Sequence, residues 1–310
     1  MHHTIVAVMF LTVSRFVFWP YFAGIAVILI GLWEARNDIA AARGLDKVVA
    51  LGRLCFAAPL ATFGAEHLTS ATSIAQLVPS WMPWHLFWAY FVGFALIFAA
   101  LSIALRIQIS LSGTLLGIMF LLFVAMMDIP GTAANPHNRI SWALTLRELA
   151  FAGGAWAATG FQPASRTEDG RRTTGNPLVA LAGFMIAIPA IFYGVEHFLH
   201  PLNVPGVPLE KLIPLWIPAR AFISYLTGAV LVVAGTAILL RQKTRMAATY
   251  LGGLILVLVL LVYVPIAIAV PSTAGDGDKI EGLNYLFDTL LFSGTILVLA
   301  GATPAPARTG

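Results

Sequence analysis

Two Glu-His pairs carry the residue types best suited to proton chemistry in this chain. Glu66-His67 and Glu196-His197 each end an apolar run, and a glycine precedes each glutamate by two residues. A carboxylate beside an imidazole can hold and pass a proton near neutral pH, because histidine changes its charge there. The alternative is that both pairs are hydrated residues that only end a helix at a membrane surface.

The composition predicts a helical membrane protein. Of the 310 residues, 59% are hydrophobic and only 10% are charged, and the mean hydropathy is +0.87. Soluble domains carry about 25% charged residues. The apolar runs are long and continuous, which favours transmembrane helices over barrel strands. The predicted fold class is all-α: a polytopic, tandem parallel repeat of two four-helix bundles plus one N-terminal helix.

Nine apolar runs are long enough to cross a bilayer, at about 1.5 Å of rise per residue. They lie at 14–33, 48–67, 85–105, 108–128, 140–161, 178–199, 219–240, 246–270 and 281–301. The predicted division of the chain is an N-terminal helix and loop (1–47), repeat one (48–161), a linker (162–177), and repeat two with a short tail (178–310).

The repeat is visible in aligned residues. The string Leu-x-Pro-x-Trp-x-Pro occurs at 77–83 and again at 212–218, which is 135 residues later. The Glu-His pairs are 130 residues apart, and Gly153 and Gly294 are 141 apart. Each change of offset falls in a loop, including an insertion near 201–209. Because each copy has four helices, an even number, both copies cross the membrane in the same direction, which makes this a parallel repeat.

Several ionisable residues lie within or at the ends of the apolar runs. A charge at mid-membrane costs about 2.5–3.5 kcal/mol, so it should face the bundle interior and find a partner. We predict two polar clusters. The first is Glu66, His67, Asp128, Arg147 and Glu148, and the second is Glu196, His197, Tyr263 and Asp288. Arg147 could pair with Glu66, Asp128 or Asp288. The clusters either fix helix register as ion pairs or form a proton-handling or anion-binding site.

The basic residues predict the orientation. Twelve of the 18 Lys and Arg residues fall on one side of the predicted spans and five on the other. By the positive-inside rule, the N-terminus is outside, the C-terminus is cytoplasmic, and both Glu-His pairs lie on the outer side. The formal charge of +4 sits in loops, so it indicates topology and not nucleic-acid binding.

Metal and haem sites are not favoured. Cys55 is the single cysteine, which excludes a disulfide or a cysteine-only metal site within the chain. Two histidines on facing helices can hold haem, but each repeat supplies only one such histidine, His67 or His197. The Pro-x-Trp-x-Pro strings favour anchoring at the membrane interface. A short re-entrant lid over the polar cluster is the alternative.

Taken together, these motifs resemble the DoxX/DoxD-like membrane proteins. The shared features are Gly-x-Glu-His-Leu/Phe ending the first helix, Pro-x-Trp-x-Pro before the second, a glycine within the second and an arginine after it, here Gly93, Gly228, Arg106 and Arg241. The resemblance covers 48–161 and 178–301. It implies a bundle in the bacterial inner membrane. Some members of this family are subunits of a thiosulfate:quinone oxidoreductase, so the resemblance makes quinone the candidate cofactor and a redox protein the candidate partner.

Three functions are consistent with these features. The first is a redox-linked, quinone-interacting subunit, at most one part of a membrane oxidoreductase, with its polar site in the outer half of the bundle. The second is a transporter for a small solute or ion, which parallel repeats and mid-membrane charges allow. The third is a membrane scaffold that holds a partner protein. The sequence identifies neither the substrate nor the catalytic residues.

Overall fold

The computed structural model describes residues 15–160, 176–207, 209–270 and 274–304. Within these ranges the regular structure is helical, apart from one isolated bridge between Asn203 and Leu212. The long helices of the described residues are α1 (Arg15–Ala41), α2 (Asp46–Thr69), α3 (His85–Leu105), α4 (Ile109–Ala134), α5 (Arg139–Ala158), α6 (Pro177–Leu199), α7 (Arg220–Leu239), α8 (Thr244–Ala269) and α9 (Asp276–Ala302). The predicted all-α, polytopic fold is confirmed. Most of the predicted linker and the ends of the chain lie outside the described residues.

Eight of these helices are long and apolar enough to cross a membrane, and the exception is α5. This helix carries Arg147 and Glu148 near its middle, and it packs between α4, α6 and α9. Its neighbours therefore shield the charges from lipid, which is what a charged membrane helix requires.

Three predicted helix ends differ from the structure. α1 continues to Ala41 because helix-forming residues follow its apolar run, and a helix outside the bilayer does not need to be apolar. α4 continues beyond Asp128 to Ala134 through a π-helical turn, Val124–Asp128. This wide turn changes the hydrogen-bond register just before Pro130, a residue that has no backbone N–H to donate. α9 begins at Asp276, with two acidic residues in its first turn.

The two four-helix units repeat the same local packing. We call α2–α5 the first unit and α6–α9 the second. A Cβ atom at Gly64 would lie 2.8 Å from the carbonyl oxygen of Gly93, and one at Gly194 would lie 2.9 Å from that of Gly228. Both helix pairs thus touch backbone to backbone at matching positions. The π-helical turn of α4 also recurs in α8, 135 residues later, at Val259–Tyr263.

The units pack crosswise, so that the last helix of each lies against the first helix of the other. Gly294 on α9 faces the backbone of Phe56 on α2, and Gly153 on α5 faces Ile186 on α6. α5 and α9 also contact each other at the centre. α2 and α9 are the core, with 78% and 83% of their most apolar segments buried, against 28% for the peripheral α1.

Candidate functional site

A cavity of about 680 Å³ lies between the four helices of the first unit and α9 of the second. Seven polar side chains line it: Glu66, His67, Asp128, Arg147, Glu148, Asn284 and Asp288. Farther from the loop at 70–84, on the same helices, the lining becomes apolar with Phe63, Phe120, Phe151 and Leu291. The cavity therefore joins a polar layer to an apolar interior, which suits an amphipathic ligand.

Arg147 is the centre of the charged part of this site. Its Nη1 lies 2.6 Å from Asp288 Oδ2, and its Nη2 lies 3.1 Å from Glu148 Oε1. The exposed fractions of the Arg147, Glu148 and Asp288 side chains are 19%, 16% and 11%. The Arg147 guanidinium binds both carboxylates at once, so the buried negative charges of Glu148 and Asp288 share one cationic partner.

His67 has one ring nitrogen bound and the other available to the cavity. Its Nδ1–H donates to the carbonyl oxygen of Phe63 one turn earlier, at 2.8 Å. This bond makes Nε2 the acceptor atom of a neutral ring. Among the described residues, none donates a hydrogen bond to Nε2. Glu66 beside it accepts a hydrogen bond from Asn284 Nδ2, at 3.4 Å.

Two further acceptor atoms on the cavity are buried without a hydrogen-bond partner among the described residues. They are Asp128 Oδ2 and Asn284 Oδ1. Asp128 stands at the end of the π-helical turn of α4, and such turns often occur at functional sites. A buried polar atom without a partner costs free energy, so these atoms indicate where a ligand could bind.

In the second unit the matching space is filled by the chain itself. Residues 203–207 fold inward between α6, α8 and α9, and Val204 and Val207 are 0% and 2% exposed. We call these five residues the plug. Gly206 N–H donates to His197 Nε2 at 2.9 Å, and the Tyr263 hydroxyl donates to the Pro205 carbonyl oxygen at 2.7 Å. One peptide group therefore bridges the two side chains.

The plug lies where the cavity lies in the first unit. Around Gly206 are His197, Ile255, Tyr263 and Thr289. The repeat offsets match these four to His67, Phe120, Asp128 and Glu148, and all four of those residues line the first-unit cavity. The five-residue difference in offset falls within the 198–211 connection that contains the plug, so the longer connection is what fills the second unit.

Glu196 helps to hold the connection around the plug in place. It accepts a hydrogen bond from Arg139 Nη1 at 3.0 Å, and Arg139 Nη2 donates to the Leu209 carbonyl oxygen at 2.9 Å. The His197 Nδ1–H is held by the Tyr193 carbonyl oxygen at 2.5 Å. Glu196, His197 and Tyr263 are thus engaged with the protein's own backbone or side chains and do not line the first-unit cavity.

Asp288 is the candidate residue whose predicted grouping differs from the structure. Sequence offsets placed it in the second cluster, whereas it lies on the first-unit cavity, where it is the one of the three predicted partners that pairs with Arg147 across helices. The reason is the crosswise packing of α9 against α2 and α5, since an offset assigns a residue to a repeat and not to its spatial neighbours. Asn284 was missed for the same reason, because a lone asparagine in an apolar run has no motif.

The Pro-x-Trp-x-Pro string of the first unit has features both of an anchor at the membrane interface and of a cover over the polar cluster, the two predicted roles. Trp81 and Trp84 are 69% and 76% exposed, as interfacial anchors should be. Pro79, Met82 and Trp88 line the cavity. The loop therefore forms one wall of the site while its indoles point outward.

Within the described ranges, no group of three or more His, Cys, Asp or Glu residues is close enough to hold a metal ion. Comparison of the chain with protein-family models, curated proteins and solved structures found no match, so the resemblance to DoxX/DoxD-like proteins rests on the sequence motifs alone.

Proposed function

We propose that this chain is a DoxX/DoxD-like, quinone-binding subunit of a membrane oxidoreductase, and that the first-unit cavity is its binding site. One observation carries the proposal: a single cavity has apolar walls at one end and, at the other, a polar layer in which His67 has a free imidazole nitrogen. A quinone has this same division, with a polar planar head group and an apolar tail. When bound, it would supply two-electron, two-proton redox chemistry.

The cavity wall provides a route from the bilayer. Phe91 on α3 and Leu122 on α4 line the cavity, yet each is 50% exposed on the lipid-facing side of the bundle. α3 and α4 also pack more loosely against each other than α4 does against α5. A lipid-soluble molecule can therefore enter between these two helices without crossing water.

The polar layer provides proton-handling groups. His67 Nε2 can accept a proton from a hydroxyl in the cavity, and Glu66 lies beside it near the end of α2. The carboxylates of Glu148 and Asp288 are held in place by their ion pairs with Arg147. Electrons must then pass to a redox partner protein. In this proposal the protein lies in the bacterial inner membrane, with its polar layer nearer the outer face.

Quinone binding to the purified protein tests the proposal. We expect saturable binding of a short-tailed quinone or its quinol in mild detergent, followed by tryptophan fluorescence because Trp88 lines the cavity. His67→Ala should weaken binding of the reduced form about tenfold, the size of one lost hydrogen bond in a buried site. His137→Ala is the matched control, since His137 is exposed and lies outside the cavity. The proposal fails if no quinone or quinol binds saturably.

A further inference from the structure

The plug shows what kind of group the site of the second unit accepts. Its Pro205–Gly206 peptide is planar, with a donor on one edge and an acceptor on the other. The donor faces His197 Nε2 and the acceptor faces the Tyr263 hydroxyl. His67 has the same tautomer as His197, because each Nδ1–H is bound by the backbone carbonyl one turn earlier. The position of His67 therefore also requires a donor from its ligand.

The other end of the site differs between the units in a defined way. Where the second unit has the Tyr263 hydroxyl donating, the first unit has Asp128, whose Oδ2 is a buried acceptor without a partner among the described residues. Aspartate is also much shorter than tyrosine. An ionised Asp128 therefore calls for a ligand that donates at both edges, and its shorter side chain leaves room for a group larger than a peptide.

The unsatisfied atoms of the lining agree with this pattern. His67 Nε2, Asp128 Oδ2 and Asn284 Oδ1 are three acceptors without a donor among the described residues. In contrast, the lining has one buried donor without an acceptor among the described residues, Arg147 Nε. With an ionised Glu66, the Asn284 amide donates to it through Nδ2, which leaves Oδ1 as the atom without a partner. A ligand that only accepts hydrogen bonds would leave His67 Nε2 and Asn284 Oδ1 unsatisfied, and an ionised Asp128 as well.

We infer that the first-unit cavity selects a head group that donates hydrogen bonds, and so binds the reduced hydroquinone in preference to the oxidised quinone. This inference rests on the proposed function. One hydroxyl donates to His67 Nε2 and the hydroxyl on the opposite edge of the ring donates to Asp128. The aromatic ring takes the place that the 205–206 peptide plane takes in the second unit. A quinone has two carbonyl oxygens at these positions and can donate to neither residue.

The test compares three ligands with one tail: decylubiquinol under anaerobic reducing conditions, decylubiquinone, and the dimethyl ether of the quinol. We expect the quinol to bind at least about tenfold more tightly than the quinone, and the ether to bind no better than the quinone. His67→Ala and Asp128→Leu should each reduce the preference for the quinol. The ligand series uses the unmodified chain, so its result does not depend on whether a variant folds.

The outcomes separate the two proposals. Equal affinity for quinol and quinone overturns the preference while the proposed function stands. Binding of neither overturns both. Tighter binding of decylamine than of the quinol also overturns the inference, because the acceptors would then serve a cationic head group.

Discussion

Arg147 and Asp288 occupy equivalent positions in the two repeats and are ion-paired with each other. They are 141 residues apart, which is the offset that aligns α5 with α9, and their charged atoms lie 2.6 Å apart. The two fourth helices therefore meet at the line about which the units are related. Duplication placed the same position twice at this meeting point, and opposite charges there join the two units.

The first expectation concerns this pair. Arg147→Met should destabilise the protein by about 3–5 kcal/mol, because Asp288 and Glu148 are left buried without their cation. The double variant Arg147→Met, Asp288→Met should recover part of that loss. The measurement is a double-mutant cycle of chemical unfolding in detergent. The control is Glu281→Gln, which removes an exposed pair with Lys211 and should cost less than about 1 kcal/mol. Equal effects of the buried and the exposed change would contradict the structure.

The second expectation concerns the hydroxyl that holds the plug. Tyr263→Phe leaves the buried Pro205 carbonyl without its donor and should cost about 1–3 kcal/mol of unfolding free energy. The same change at Tyr250 is the control, because that side chain is 56% exposed and should stay within about 0.5 kcal/mol of the parent. If both variants unfold at the same denaturant concentration, the plug is not held as described.

The third expectation concerns the contact between the units. A Cβ at Gly294 would lie 2.3 Å from the backbone nitrogen of Phe56, so Gly294→Ala must push α9 away from α2. The expected cost is about 1–3 kcal/mol from overpacking. Gly277→Ala on the same helix meets nothing within 4 Å and should be neutral or slightly stabilising. Thermal unfolding of the two variants side by side gives the comparison.

The fourth expectation concerns ligand number. Deletion of residues 203–207 gives the second unit the shorter loop of the first and removes the plug. The opened site keeps the Tyr263 hydroxyl, a donor, where the first unit has Asp128, so on the proposed function we expect equilibrium dialysis to show one bound quinol per chain in this variant, as in the parent. Adding Tyr263→Asp to the deletion replaces this donor by a shorter acceptor and should raise the number to two. A well-folded double variant, monodisperse and helical by circular dichroism, that still binds one quinol would refute the equivalence of the two sites.

The helices were predictable because their lengths are set by the bilayer and their apolar runs are continuous. The repeat was predictable because Trp, Pro and Gly keep their spacing between the copies. The packing partners of each helix were not predictable, so Asp288 was grouped with the second cluster and remained only one of three possible partners for Arg147. The insertion near 201–209 was visible as a change of offset, but its burial depends on tertiary packing. Its one usable signal was the apolar pair Val204 and Val207 in a loop expected to face water.

Because of the plug, we expect the two units of the protein to differ in their motions. The second unit carries its occupant covalently, so the presence of the plug does not depend on the concentration of any free ligand. On the proposed function, we therefore expect α6 and α8 to be held in place at all times, whereas α2 and α4 tighten only when quinol enters the first unit. Amide hydrogens should exchange more slowly in the second half than in the first, and addition of quinol should bring the first half toward the protection of the second. On the proposed function, duplication has thus given one chain a permanently filled copy beside a copy that responds to its ligand.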